Sequence, residues 1–322
     1  MKKIGVLTSG GDAPGMNAAV RAAVRCGIDR GMEVYGVKRG YEGLLDGEIV
    51  NMNWQSVGDI LQRGGTILRT ARSSRFMEDE WVQHGAKMLE TFGIEGLIVI
   101  GGDGSFRGGA ELAKKGISVM GVPGTIDNDL AYTDYTIGFD TAVNTILGMI
   151  TNIRDTSSAH ERTTIVEVMG RRCGDLALFA GLAGGADVTL VPEMECDLSE
   201  ICRRVLEGQA SGKLHSLIVM AEGFNMDAAE LAKTLEEMTG REARTVVPGY
   251  IQRGGSPTEK DRRLATVMAA KAVELLYNDS DSKAIGVSAG ELIEMDLVEA
   301  LQVKPVFRAD LYELANILGK GK

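Results

Sequence analysis

Proline is scarce in this chain, with 6 residues in 322, while glycine is abundant at 42. That combination predicts many tight turns and close backbone approaches rather than disordered linkers. Cysteine is scarce too. Cys26, Cys173, Cys196 and Cys202 show no C-x-x-C spacing, which excludes a zinc ribbon or a disulfide framework and fits reduced thiols in a cytoplasmic protein. No apolar run approaches the roughly 20 residues of a membrane span. The N-terminus, Met1 to Leu7, is basic but turns glycine-rich too soon for a signal peptide. Excess positive charge is also missing: the net charge is −10, which argues against general nucleic-acid or anionic-membrane binding. Two nucleotide fingerprints are absent as well. No G-x-x-x-x-G-K-S/T run marks a P-loop, and no G-x-G-x-x-G run follows the first strand.

What remains is an ordinary globular composition, 44% apolar and 25% charged, long enough for two lobes or one large domain. Short apolar runs read as strands at Ile4–Thr8, Glu33–Val37, Gly96–Ile100, Ser118–Val122, Thr164–Val168, Val188–Val191, Ser216–Ala221, Thr245–Val247 and Ala284–Val287. Helical patterns lie between them at Met16–Asp29, Glu80–Phe92, Phe106–Lys115, Thr141–Arg154, Leu198–Gln209, Asp227–Met238 and Glu259–Tyr277. This alternation predicts an α/β protein with mainly parallel sheets and helices on both faces. In such sheets ligands bind just past the carboxyl ends of the strands.

Three glycine-rich stretches follow predicted strands. Ser9–Gly15 joins the first strand to a helix; free N–H groups there suit phosphate oxygens, and a plain strand-to-helix turn explains the stretch equally well. Gly101-Gly102-Asp103-Gly104-Ser105 places one carboxylate between glycines. Asp103 suits a magnesium ion whose other ligands are nucleotide phosphates, or alternatively an N-cap for the following helix. Pro123–Asp129 carries Asp127 and Asp129 two residues apart, which an extended segment would aim the same way. A base for an alcohol, a carboxylate for a metal and donors for phosphate are the parts of a phosphoryl-transfer site. Asp127 reads as the general base, with Thr125 positioning the phosphoryl group. Arg72, Arg162, Arg171, Arg172, Arg244 and Arg253 stand in glycine-rich or strand-edge settings that suit phosphate forks, although each alone reads as a surface residue.

The motifs LTSGGDAPGMNAAVR (7–21), RGG (63–65), IGGDGS (100–105), PGTIDND (123–129), TDYTIGFDTA (133–142), RDTSS (154–158), VEVMGR (166–171), CGDLAL (173–178) and GYIQRGGSP (249–257) occur in one order. In these the chain resembles bacterial 6-phosphofructokinases over essentially its whole length. The resemblance implies two three-layer α/β/α lobes with mainly parallel sheets. A larger lobe, 1–138 plus 251–301, would bind ATP and Mg²⁺; a smaller one, 139–250 plus 302–322, would bind fructose 6-phosphate, the sugar lying between lobes. It implies transfer from MgATP to the 1-hydroxyl of fructose 6-phosphate, in the cytoplasm, by a homotetramer without nucleic-acid or membrane partners. Gly11, Arg72, Ser73, Gly102, Asp103, Gly104 and Ser105 would line the nucleotide. Asp103 and Asp129 would hold the metal. Asp127, Thr125 and Arg171 would be catalytic. Thr125, Ile126, Asp127, Met169, Gly170, Arg171, Glu222, Tyr250, Ile251, Gln252 and Arg253 would line the sugar phosphate, with Arg162 and Arg244 reaching in from a neighbour. Arg21, Arg25, Arg154, Gly185, Asp187, Lys213 and His215 would form a site for the effectors ADP or phosphoenolpyruvate.

The chain departs from that pattern in places. Tyr250 stands where the family usually has His, and a phenol donates a hydrogen bond but carries no positive charge. At the effector positions Asp187 replaces a usual Glu and Ser211 a usual Arg, while Trp54 and Gln55 stand where Arg and Tyr are frequent. A weakened or altered effector response is expected. Gly104 and Gly124 stand where pyrophosphate-using relatives carry Asp and Lys, which favours ATP. A kinase of another sugar phosphate and a silent effector-binding subunit remain the alternatives; a nicotinamide dehydrogenase lacks its fingerprint.

Overall fold

In a computed structural model, which describes residues 1–320, the chain forms two compact units. The first comprises Met1–Thr141 and Arg253–Pro305, the second Ala142–Gln252 and Val306–Lys322. Residues 321 and 322 of the expected 302–322 segment lie outside the described residues. No helix among the described residues is long and apolar enough to cross a membrane.

The first unit is built on an eight-stranded sheet. Its strands are β1 (Lys3–Thr8), β2 (Glu33–Val37), β3 (Ile49–Met52), β4 (Gly96–Gly101), β5 (Ser118–Thr125) and β6 (Ile137–Gly138). The second unit's four-stranded sheet contains β7 (Thr163–Val168), β8 (Val188–Leu190), β9 (Ser216–Ala221) and β10 (Ala243–Val246). The chain then returns to the first sheet with β11 (Lys283–Ser288) and β12 (Glu291–Asp296). Strand order is β12-β11-β5-β4-β1-β2-β3 in the first sheet, with β6 beside β5, and β10-β7-β9-β8 in the second.

All ladders are parallel except β2–β3 and β11–β12, which add antiparallel edges the sequence reading did not include. The central strands are buried on both faces; Ile4, Val6, Leu7 and Leu97 to Ile100 are completely inaccessible. That double burial explains their continuous apolar runs.

The helices are α1 (Met16–Asp29), α2 (Gly40–Leu45), α3 (Asp79–Thr91), α4 (Asp103–Lys114), α5 (Phe139–Ala159), α6 (Asp175–Gly184), α7 (Leu198–Ala210), α8 (Ala228–Thr239), α9 (Glu259–Tyr277), α10 (Leu297–Ala300) and α11 (Ala309–Leu318). In the first unit α1 packs on α9; in the second α6 packs on α11. Two boundaries, one start and one end, differ from expectation in ways that matter for the site. Helix α4 begins at Asp103 rather than Phe106, so Gly102 is the N-cap and Asp103 the first helical residue. Strand β5 runs on through Pro123 and Gly124 and stops at Thr125. The following residues are not extended: Asn128 has φ +53°, in the left-handed region. The alternation that would aim Asp127 and Asp129 the same way is therefore broken between them.

Candidate active site

In the first unit, three strand ends converge. Adjacent parallel strands β1, β4 and β5 finish at Thr8, Gly101 and Thr125. The β1–α1 loop is held against β4 by the Ser9 N–H donating to Ile100 O at 3.0 Å. A side chain at Gly101 would strike Ser105 Oγ and lie 2.6 Å from Ser9 O, so only glycine allows this approach. At Gly102 a methyl group would lie 3.5 Å from Thr125 Cβ, which places the β4 turn directly beside the end of β5.

The carboxylates of this unit occupy distinct settings. Asp127 is buried at 4% exposure, and its N–H donates to Thr125 Oγ1 at 3.2 Å. Asp129 is partly buried. Asp103 sits in the first turn of α4, where the helix dipole favours negative charge, and it is half-exposed. Its partner is Arg107, one turn along, which donates from Nε at 2.8 Å and from Nη2 at 3.1 Å. Gly104 faces open space: nothing lies within 4 Å of where its side chain would begin. The Tyr41 hydroxyl donates to Ser105 O at 2.5 Å; burial pushes that phenol's pKa far up, so it remains a donor.

A bracing segment that sequence reasoning missed lies over the β1–α1 loop. Thr70 donates to Gly10 O at 2.8 Å, and Thr8 donates to Arg69 O at 2.8 Å. Buried Asn17 accepts from Ile67 N at 2.8 Å and donates to the carbonyls of Arg63 and Gly64. The signal available was a lone Asn inside an apolar helix, which implies buried amide partners. Exposed Arg72 follows this segment, and the Ser73 hydroxyl accepts from Phe76 N at 3.1 Å. Beside Gly11 lies the Arg253 guanidinium, with Nη1 3.5 Å from the position of a Gly11 side chain.

The second unit holds most of the remaining candidate residues. Strands β7 and β9 end side by side, Val168 opposite Ala221. Beyond them Met169, Gly170 and Arg171 form a turn in which Gly170 has φ +130° and Arg171 φ +54°. Glu222 holds it: Arg171 N donates to Glu222 Oε1 at 2.8 Å, and Glu222 N donates to Val168 O at 2.8 Å. Gly223 must lack a side chain because one would overlap Arg171 O. Arg171 and Glu222 are both exposed. Gln252 is fully buried and works as a brace, accepting from Met169 N at 3.0 Å and donating to Gly249 O at 3.1 Å. Its neighbours Tyr250 and Ile251 stand outward, 80% and 63% exposed. Arg162 and Arg244 share one carboxylate, Glu242.

The effector candidates divide between units. In the second, the Lys213 ammonium pairs with Asp187, whose other oxygen accepts from Leu217 N at 2.8 Å. Arg154 donates to Gly184 O at 2.7 Å and to Gly185 O, and approaches His215 Nε2 at 3.5 Å. Burial, then the charges of Arg154 and Lys213, push the His215 pKa down, which keeps the ring neutral near pH 7. Ser211 ends α7 and donates to Gly208 O at 2.8 Å. Arg21 and Arg25 lie on α1 in the first unit, and Arg25 stacks over Trp54 at 5.5 Å.

The profile of the family Phosphofructokinase matches residues 3–276. The chain is 56% identical to "ATP-dependent 6-phosphofructokinase" of Clostridium botulinum (strain Loch Maree / Type A3) over 320 residues, 99% of this chain and 100% of that protein. Identity and coverage are the same for the Clostridium acetobutylicum protein of that name. Among solved structures, the phosphofructokinase of Saccharomyces cerevisiae aligns with TM-score 0.89 and 36% identity, covering 99% of this chain and 48% of the yeast chain.

Proposed function

This chain belongs to the phosphofructokinase family, and we propose that it transfers the γ-phosphoryl group of ATP to the 1-hydroxyl of D-fructose 6-phosphate. The products are fructose 1,6-bisphosphate and ADP, the committed step of glycolysis. One observation of the site carries the reading: Asp103 and buried Asp127 follow the ends of adjacent parallel strands, in turns that touch at Gly102 and Thr125. This adjacency supports reading the first as a nucleotide phosphate cradle and the second as an acceptor base.

In the proposed reaction the sugar's 1-oxygen attacks the γ-phosphorus as the bond to the β-phosphate oxygen breaks. The hydroxyl proton passes to Asp127. Gly11 and the Gly102–Ser105 turn supply backbone N–H groups, and Arg72 and Ser73 lie along the phosphates. Arg171 stabilises charge spreading over the transferred group, a term that is usually large because the donor is already oriented. Met169, Gly170 and Glu222 hold the sugar, and Arg253 binds its phosphate. Thr125 and Ile126 line the acceptor side, while Gln252 supports Met169, and Tyr250 and Ile251 border the phosphate.

The donor set fits magnesium. Asp103 and Asp129 offer hard oxygen ligands, and no cluster of three or more candidate ligands exists among the described residues. An ion held by few protein groups suits Mg²⁺, which takes its remaining ligands from phosphate and water. When bound, it neutralises phosphate charge as the β–γ bond breaks.

A cytoplasmic homotetramer completes the proposal. Arg162 and Arg244, already gathered by Glu242, serve a neighbouring copy's sugar phosphate. The cluster of Arg154, Gly185, Asp187, Lys213 and His215 takes a phosphorylated effector, ADP or phosphoenolpyruvate, with Arg21 and Arg25 supplied by another copy. Because Lys213 already pairs with Asp187 and Ser211 brings no charge, the response to the effector is weak.

The test is turnover of MgATP and fructose 6-phosphate, coupled through aldolase, for the parent and for Asp127→Ser. Loss of a general base costs on the order of 10²- to 10⁴-fold. An active parent with a variant reduced by that amount supports the reaction and the base. An inactive parent, or an undiminished variant, removes them.

A further inference from the structure

We propose that Asn128 is a positioning residue that aims the Asp127 and Asp129 carboxylates through a clip onto Thr136; the proposal rests on the phosphoryl-transfer reading above. Asn128 is buried at 9% exposure and has φ +53°. Only Gly, Asn and Asp enter that region at little cost. Both polar atoms of its side chain are engaged. Oδ1 accepts from Thr136 N at 2.9 Å, and Nδ2 donates to Asp134 O at 3.3 Å. The Thr136 hydroxyl also lies 3.3 Å from Oδ1, but its one proton serves Thr125 O at 2.7 Å. The amide and the hydroxyl therefore tie the two ends of the 125–136 loop to each other, through the residue that lies between the two acids.

The far side of this loop is equally fixed. The β5–β6 ladder pairs Gly124 with Ile137 and Thr125 with Gly138. Strand β11 takes the rest: Asp134 N donates to Val287 O at 2.8 Å, Val287 N donates to Thr133 Oγ1 at 2.9 Å, and Tyr132 donates to Ile285 O at 2.9 Å. Against this rigid frame, the one reversal of handedness at residue 128 determines where each flanking carboxylate points.

Residue type matters for three separate reasons. Glycine would permit the backbone but forfeit both side-chain bonds. Aspartate would keep the acceptor, lose the Nδ2 donor and place a third negative charge between two acids. Asparagine alone combines the left-handed backbone, the donor–acceptor pair and neutrality.

Kinetics of Asn128→Gly, Thr136→Val and Thr136→Ser, with melting curves, test the proposal. For Asn128→Gly we expect kcat to fall about ten- to a hundredfold, as misplacement of reacting groups by an ångström does. KM for both substrates stays within about threefold and melting within a few degrees. An Asn128→Gly variant with parental kcat overturns the proposal.

Should Asn128→Gly not fold, the Thr136 pair decides. Parental kcat in Thr136→Ser with a reduced kcat in Thr136→Val supports the clip; parental kcat in both removes it. An inactive parent defeats the proposed reaction instead, and crystal structures of parent and Asn128→Gly then judge the clip. Carboxylates of Asp127 and Asp129 displaced by about 1 Å or more sustain it, and superimposable ones end it.

Discussion

The Arg107 guanidinium forks onto both carboxylate oxygens of Asp103, one helical turn away on α4. The proposed metal ligand is thus already engaged by a cation, and magnitude decides whether that matters. The two side chains are 63% and 38% exposed, and an exposed i,i+4 pair stabilises a helix by only about 0.3–0.5 kcal/mol. That is about a factor of two in an equilibrium, too little to exclude a divalent cation. Arg107→Gln should therefore lower the Mg²⁺ concentration for half-maximal rate by no more than about twofold. Asp103→Asn should raise it by on the order of tenfold or more, because a carboxylate ligand is lost. Magnesium titration at fixed ATP, together with Mn²⁺ binding followed by electron paramagnetic resonance, separates the two. Tightening by more than about tenfold in Arg107→Gln would show that the exposed-pair argument underestimates the fork.

Gly104 and Gly124 lack side chains for different physical reasons. At Gly104 nothing stands within 4 Å, so the fold would accept a side chain there; the first turn of α4 would even gain about 0.5–1 kcal/mol from alanine. At Gly124 a Cβ would lie 3.0 Å from Ile100 Cγ2 and 3.2 Å from Met16 Cε, inside the core. Packing already calls for glycine at 124, which makes Gly104 the more informative of the two about the phosphoryl donor. Gly104→Asp should retain the parental melting temperature while KM for ATP rises about tenfold or more through repulsion of phosphate. Gly124→Ala should melt lower, the overpacking costing about 1–3 kcal/mol. Scanning fluorimetry and steady-state kinetics on both variants check this. A Gly104→Asp variant with unchanged KM removes the argument that the open space serves the nucleotide.

How far the sequence could be read follows from which interactions are local. The strands that lead to Asp103 and Asp127 are legible because Gly96–Ile100 and Ser118–Val122 are short, mainly apolar runs followed by Gly101-Gly102 and by Pro123-Gly124. Strand β5 overran its expected end because Pro123 completes the ladder opposite Gly101, at the final pairs where a missing N–H costs little. Helix α6 was not anticipated because Asp175–Gly184 is apolar on nearly every side, so no amphipathic period announces it. Strands β3 and β12 are edges, where partial exposure leaves no continuous run. The left-handed turn at Asn128 has partners six and eight residues further on, beyond any local pattern. Arg107, by contrast, was within reach, since an acid and an arginine four apart on a helix are neighbours.

Buried Asp261 gives a prediction about stability alone. Its carboxylate accepts from Gly138 N at 2.9 Å, from Thr141 N at 2.8 Å and from the Thr141 hydroxyl, and so caps the start of α5. Burial, the largest influence, raises its pKa above 3.8, while the three donors pull it down. A carboxyl with a raised folded pKa binds more protons folded than unfolded. Its stabilising contribution is complete below the unfolded value and is lost as pH rises through the folded one. The stability advantage of the parent over Asp261→Asn should therefore shrink from about pH 4 toward pH 7. Urea denaturation of both proteins across that window measures the gap, and a gap that widens with pH contradicts the assignment.

Tyr250 offers a test that leaves the fold untouched, since its side chain is 80% exposed on the turn that buried Gln252 anchors. A phenol at this position donates one neutral hydrogen bond to a sugar phosphate. An imidazole would do the same when neutral, and when protonated it would donate a charge-assisted bond, stronger by about 1 kcal/mol or roughly fivefold in affinity. An unperturbed imidazole titrates near about 6.5. The sign then follows: protonation lies below that value, so tighter binding appears as pH falls. Between about pH 7.5 and 6, KM for fructose 6-phosphate in Tyr250→His should fall about fivefold relative to the parent's at the same pH, a ratio in which the titration of the phosphate itself cancels. Melting temperatures should agree within a few degrees, because residue 250 is largely exposed. Steady-state rates across the window decide the matter, and identical profiles for the two proteins would show that residue 250 does not reach the phosphate.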